Sequence, residues 1–117
     1  MIPPDRIALV AVTRGGARLA ARLRDGLGGG VLHLPERFRG GAPPGASFYP
    51  PPLRTLAAAL FPRCDGIVFF LAVGAAVRTV AGLLRDKRAD PAVVAVDDAG
   101  RFAVSLLSGH AGGANDL

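Results

Sequence analysis

Apolar positions along this chain follow two rhythms in turn. Arg6 to Val12 (Arg-Ile-Ala-Leu-Val-Ala-Val) is a continuous apolar run with β-branched members, the pattern of a parallel strand buried on both faces. Thr13 follows as a candidate helix N-cap. Ala17 to Leu27 then places Leu19, Leu23 and Leu27 at helical spacing, and Gly28-Gly29-Gly30 ends that helix. Val31 to Leu34 predicts a short second strand. Leu53 to Phe61 predicts a second helix, stopped at Pro62. Gly66 to Ala72 is the most apolar strand and belongs at the sheet centre, and Gly74 to Leu84 predicts a third helix. Asp90-Pro91 closes that helix ahead of a strand over Ala92 to Val96. Asp97-Asp98-Ala99-Gly100 is a hairpin turn with Gly100 free to take a positive φ, so Phe102 to Leu107 should return antiparallel. A last helix is expected to begin at the glycine turn that follows. Pro35 to Pro52, dense in Pro and Gly, reads as an irregular, mobile loop without regular structure.

This order, β-α-β-α-β-α-β-β-α, predicts an α/β fold: a three-layer sandwich with a mainly parallel sheet, helices on both faces and one edge β-hairpin. At 117 residues the chain is expected to form one domain with a core of its own. Ligands of such sheets collect at the carboxyl ends of the strands. Three turns are therefore expected to converge: Thr13-Arg14-Gly15-Gly16, Ala72-Val73-Gly74, and Ser108 to Gly113. Asn115-Asp116-Leu117 carries no helix-stopping residue; a real C-terminus there is one reading, and the expected one is that the helix continues, with further domains after it.

Composition narrows the function classes. Half the residues are apolar and 20% are charged, which excludes a disordered chain. The net charge of +5 is almost wholly arginine, with Lys87 the only lysine. Abundant Ala, Gly and Pro alongside it is the mark of a GC-rich genome, so the charge is no argument for nucleic acid. Aromatic and basic residues do not interleave as RNA or single-stranded DNA binding requires. The surface remains attractive to anionic small molecules. Cys64 is the only cysteine, which excludes an internal disulfide and a CxxC metal site. It reads as a half-buried packing thiol with no base beside it. Gly66 to Leu84 is apolar, but Arg78, Gly74 and Gly82 interrupt it well short of the ~20 residues a membrane span needs. No basic-then-apolar leader opens the chain, so a cytoplasmic protein is expected.

His110 is the sharpest chemical candidate. An imidazole titrates near neutrality and can move a proton during hydrolysis. Ser108 and Asn115 flank it, and Gly109, Gly112 and Gly113 would let backbone N–H groups approach a ligand and hold an oxyanion. Catalysis, ligand contact and a structural turn role all remain open for His110 on spacing alone. His33 reads as packed within its strand, and two distant histidines without paired carboxylates do not make a metal site. Arg78 is the odd charge in an apolar helix: it could grip a carboxylate through a bidentate fork, or face solvent, and Thr79 shares that ambiguity. Arg14, Arg18 and Arg22 form a stripe at i, i+4 and i+8, usually a solvated face. Arg14 differs because a cation in a first helical turn opposes the helix dipole, which suits a bound anion. Neither glycine turn matches a dinucleotide or Walker fingerprint.

The stretch Asp65 to Leu117 resembles the CbiG family of cobalamin biosynthesis. The resemblance rests on Asp65-Gly66-Ile67-Val68 leading to Gly74, on Ala76-Val77-Arg78-Thr79, on Asp90-Pro91-Ala92-Val93-Val94, and on Ser108-Gly109-His110 with Gly112-Gly113-Ala114-Asn115. Val73, Ala75 and Ala111 depart from the residues usual at those places. The resemblance implies cobalt-precorrin-5A hydrolase activity: opening of a δ-lactone on a cobalt macrocycle, with two carbons leaving as acetaldehyde. It implies no resident cofactor, since the cobalt comes with the substrate. It implies that the chain corresponds to an N-terminal domain that works with a C-terminal one. The substrate would be a polyanionic tetrapyrrole, met by Arg14, Gly74, Arg78, Thr79, Ser108, Gly109, Gly112, Gly113 and Asn115, with His110 as acid or base. The alternative is a domain that only binds the corrinoid and leaves the chemistry to the C-terminal domain.

Overall fold

The computed structural model describes residues 2–86 and 88–108. Six strands form one sheet, β1 (Ile7–Ala11), β2 (Val31–Pro35), β3 (Ser47–Tyr49), β4 (Gly66–Phe70), β5 (Ala92–Val96) and β6 (Ala103–Ser108), in the order β3-β2-β1-β4-β5-β6. All neighbouring pairs are parallel except β5 with β6. Among the described residues three helices cover it: α1 (Arg14–Leu27), α2 (Leu53–Leu60) and α3 (Val73–Val80). The expected α/β sandwich with an edge hairpin is what forms.

The two faces follow from the period of two in the apolar strands. Ile7, Leu9, Ala11, Leu32, Leu34, Val68 and Phe70 point to the α1 side, where Ala20 is buried against them. Ala8, Val10, Ile67, Phe69, Val93 and Ala95 point to the other side, under Ala57 and Leu60 of α2 and Ala76 and Val80 of α3. Because β1, β4 and β5 are buried on both faces, their sequences are unbroken apolar runs.

Helix α1 begins three residues earlier than the leucine spacing predicts. Thr13 accepts a hydrogen bond from the Gly16 N–H at 2.9 Å, so the cap sets the first turn at Arg14 and draws both glycines into the helix. Gly16 is there for room: a Cβ on it would lie 3.2 Å from both Cβ and the carbonyl oxygen of Phe70 in β4. Gly28, at φ 76°, ends α1 in the left-handed region as expected. Helix α3 is shorter than predicted and passes into a 3-10 turn at Ala81–Leu83, where Gly82 weakens the helix.

The Pro/Gly stretch is less irregular than its composition predicts. Glu36–Phe38 forms a 3-10 turn, and Ser47–Tyr49 adds the edge strand β3, pairing His33 with Ser47 and Pro35 with Tyr49. Three residues are too few to show a period, so tertiary contacts decide this strand. Tyr49 is buried and donates its hydroxyl to the Ala11 carbonyl at 2.9 Å, and Arg39 lies 4.5 Å over the Phe48 ring. Arg37 donates to the Val12 carbonyl at 2.7 Å and Arg24 to that of Pro44 at 2.9 Å, which tie the loop to the sheet edge and to α1.

Candidate functional site

The strand order reverses at β1, since β2 lies to one side of it and β4 to the other. The crevice expected for a ligand is therefore at the carboxyl ends of β1 and β4, between Thr13 and Ala72. At this end the Thr13 hydroxyl donates to a carboxylate oxygen of Asp98 at 3.2 Å. Asp98, carried by the β5–β6 turn, thus places a negative charge at the start of α1, where the helix dipole favours one. Arg14 is exposed and its guanidinium lies 5.1 Å over the Phe38 ring, with Arg37 at 4.7 Å from the same ring. Its unfavourable place in the first turn is thereby offset by a carboxylate and an aromatic face of this chain. Gly74 lies exposed in the first turn of α3, whose N-cap Ala72 offers no side-chain acceptor.

Arg78 sits in the last turn of α3, exposed, where a cation complements the helix C-terminus. The Thr79 hydroxyl donates to the Ala75 carbonyl at 2.7 Å, one turn back in its own helix. Arg78 thus lies one turn after Gly74 on the same face of α3.

Ser108, where the third expected turn begins, is not at this crevice. Strand β6 is antiparallel, and its last residue, Ser108, is in register with Ala92, the first residue of β5. Ala92 is in turn in register with Gly66, and Gly66 with Ile7, each at the start of its strand. Ser108 thus ends at the amino edge of the parallel strands, opposite the edge that holds Thr13 and Ala72. Three strand spacings and the length of β5 separate it from Arg14, roughly 20 Å. The expectation of three converging turns is corrected here. It took every strand's carboxyl end to be at one edge, which holds only for the parallel strands. His110, Gly109, Gly112, Gly113 and Asn115 lie outside the described residues.

The amino edge gathers the motif residues that precede β4 and β5 instead. Asp65 immediately precedes β4, and its carboxylate receives a two-pronged hydrogen bond from Arg6, at 3.1 and 3.2 Å. Its backbone N–H donates to the Arg6 carbonyl, and its own carbonyl accepts from Ala92 N–H at 2.9 Å, which stitches β1, β4 and β5 together where they begin. Asp90 is 8% exposed, and its carboxylate accepts the Arg85 backbone N–H at 3.0 and 3.3 Å. That clasp ties the Arg85 backbone to the start of β5. Sequence reasoning treated Asp90-Pro91 as a helix stop. The sequence carried no sign of the clasp, because the partner of Asp90 is a backbone N–H and not a side chain. Nearby Cys64 is half-buried, and burial pushes its thiol pKa up, against any nucleophilic role. His33 lies within β2, where burial lowers its pKa and keeps the imidazole neutral. Among the described residues no group of three or more His, Cys, Asp or Glu could hold a metal ion. Nor is any helix among them long and apolar enough to cross a membrane.

The motifs gathered at this edge lie within a family match. The cobalamin synthesis G N-terminal family model matches residues 55–117. The chain belongs to that family. A cobalt-precorrin-5A hydrolase of Priestia megaterium is 36% identical over 112 residues, 94% of this chain and 30% of the relative. A cobalt-precorrin-5A hydrolase of Salmonella typhimurium is 41% identical over 122 aligned positions, 99% of this chain and 32% of the relative. The chain thus spans about a third of the length of these curated relatives. The crystal structure of a cobalamin biosynthesis protein G homolog from Sulfolobus solfataricus superposes with a TM-score of 0.67. That match covers 97% of this chain and 32% of the other at 24% identity, and it bears on the fold alone. Both the family match and the amino-edge register therefore include Gly66, Ala92 and Ser108.

Proposed function

We propose that this chain acts in cobalt-precorrin-5A hydrolysis, the reaction named for its two curated relatives. The observation that carries the reading is the family match over residues 55–117, which contains all the motif residues from Asp65 onward. In this reaction water adds to the lactone carbonyl, the ring C–O bond breaks, and a carboxylate and an alcohol result. The hydroxyl of the two-carbon unit then loses its proton, the C–C bond joining that unit to the macrocycle breaks to release acetaldehyde, and the electron pair left on the macrocycle takes up a proton. His110 takes the proton of the attacking water or gives one to the leaving oxygen. N–H groups of the Gly109 to Gly113 turn hold the oxyanion of the tetrahedral intermediate. Ser108 and Asn115 orient the lactone by hydrogen bonds. The cobalt arrives and leaves with the macrocycle, so the chain needs no metal ligands of its own. The reaction is completed together with a C-terminal domain such as the relatives' greater length accommodates.

The test is acetaldehyde release from cobalt-precorrin-5A. His110→Ala is expected to lower kcat by at least about a hundredfold, the usual worth of a positioned acid or base, with substrate affinity little changed. Wild-type turnover by His110→Ala overturns the assigned role. Binding of substrate by the chain without acetaldehyde release favours the corrinoid-binding alternative.

A further inference from the structure

The described amino edge holds a cavity as well as the motif residues. A space of about 550 Å³ opens between the end of α2 and the loop that leads into β5. Phe61 and Pro62 on the α2 side and Leu83 and Leu84 on the other form apolar walls, and Arg85 and Asp90 make part of its lining polar. Leu84 is 49% exposed, a large apolar side chain left in contact with water. Beside it Arg85 is exposed, and among the described residues no ion pair engages its guanidinium.

The position of these two side chains is fixed from beneath. The buried Asp90 carboxylate holds the Arg85 backbone N–H, and the Asp90 N–H donates to the Asp86 carbonyl at 2.8 Å. Asp90 is two residues before Ala92, which is abreast of Ser108, so the cavity floor and the end of β6 are roughly 10 Å apart. Helices α2 and α3 both end here, and their carbonyl ends alone would repel an anion. Arg85 and Asp90 are the charged residues of the cavity lining. The Asp90 carboxylate is taken up by the Arg85 backbone N–H, which leaves the exposed Arg85 guanidinium as the group able to meet an anion.

We infer that this amino-edge cavity, and not the carboxyl-edge crevice, receives a carboxylate-bearing edge of the macrocycle, with Arg85 as the carboxylate's partner and Phe61 and Leu84 as its apolar walls. The inference rests on the hydrolase reading for the identity of the ligand. The cavity, about 550 Å³, has room for one pyrrole ring with its acid side chains, and an apolar ring flanked by carboxylates matches apolar walls beside an arginine fork. The usual rule for open α/β sheets favours the opposite edge. There, however, Asp98 already occupies the start of α1 and Phe38 the face of Arg14.

Two measurements test it. In acetaldehyde release, Arg85→Gln is expected to raise KM roughly tenfold with kcat within about twofold, the signature of lost binding at a charged contact. Arg85→Lys should recover part of that loss, and Arg18→Gln, on the solvated stripe of α1, should leave both constants unchanged. An unaltered KM in Arg85→Gln, or a KM effect that follows Arg14→Gln instead, overturns the inference. The second measurement is titration with uroporphyrin, an unreactive polycarboxylate macrocycle, at physiological salt. Binding by wild type that weakens in Arg85→Gln and not in Arg18→Gln supports the cavity even if no acetaldehyde is released, in which case only the hydrolase reading falls. Absence of uroporphyrin binding by wild type, or equal binding by wild type and Arg85→Gln, overturns it.

Discussion

Two glycines of α1 are expected to respond to alanine with opposite signs. Helix propensity alone favours alanine over glycine by about 0.8–1 kcal/mol in a helix interior, so it predicts stabilisation at both. Gly26 is exposed and a Cβ there meets nothing within 4 Å. Gly26→Ala should therefore raise stability by about 0.5–1 kcal/mol, the lower figure reflecting its place in the last turn. At Gly16 the new methyl lies 3.1 Å from the Thr13 hydroxyl and 3.2 Å from Phe70 Cβ and carbonyl oxygen. Phe70 belongs to β4, which is paired on both sides, and Thr13 is held as the N-cap, so neither can give way cheaply. Overpacking of this kind costs ~1–3 kcal/mol, which exceeds the propensity gain in a first turn. Gly16→Ala should lose about 1–2 kcal/mol, or roughly 4–8 °C in Tm for a domain of this size. Urea unfolding followed by circular dichroism measures both. A Gly16→Ala variant as stable as wild type refutes the packing argument, and so does a destabilised Gly26→Ala.

Two further expectations concern buried polar groups. Tyr49→Phe keeps the ring and removes the donor to the Ala11 carbonyl, so it should cost about 1–2 kcal/mol in the same assay, and a loss below about 0.3 kcal/mol would mean that water satisfies that carbonyl. The Tyr49 phenol itself is pushed up to about 12 by burial, so this bond persists through ordinary alkaline conditions. Burial lowers the His33 pKa, so on acidification the unfolded chain takes up the proton first. The stability this residue contributes is full above about pH 6.5 and is lost as pH falls through the lower folded value. His33→Gln should show a smaller drop in unfolding free energy between pH 8 and pH 5 than wild type, and equal drops would remove His33 as the cause.

Much of the α/β order was legible because burial on both faces writes itself into composition. Strands β1, β4 and β5 can be read directly as apolar runs, and the β5–β6 hairpin from Asp97-Asp98-Ala99-Gly100, where Gly100 has φ 75°. The cap at Thr13 and the stop at Gly28 were equally local. Strand β3 was not legible, because three residues after a Pro/Gly loop owe their pairing to β2 and their anchoring to the Ala11 carbonyl. For the candidate site, the motif residues could be found in the sequence but their placement could not.

By itself the sequence determined which residue types carry chemistry, which segments must be buried and which family the chain belongs to, because these depend on local order along the chain. Tertiary structure alone decided where those residues meet. A strand's direction is a relation between two segments, and the antiparallel β6 carries Ser108 to the edge of Gly66 and Ala92 instead of that of Thr13 and Gly74. Likewise the space around a glycine and the partner of a buried carboxylate depend on atoms distant in sequence. That is why Gly16 and Asp90 acquire their roles only in the folded chain.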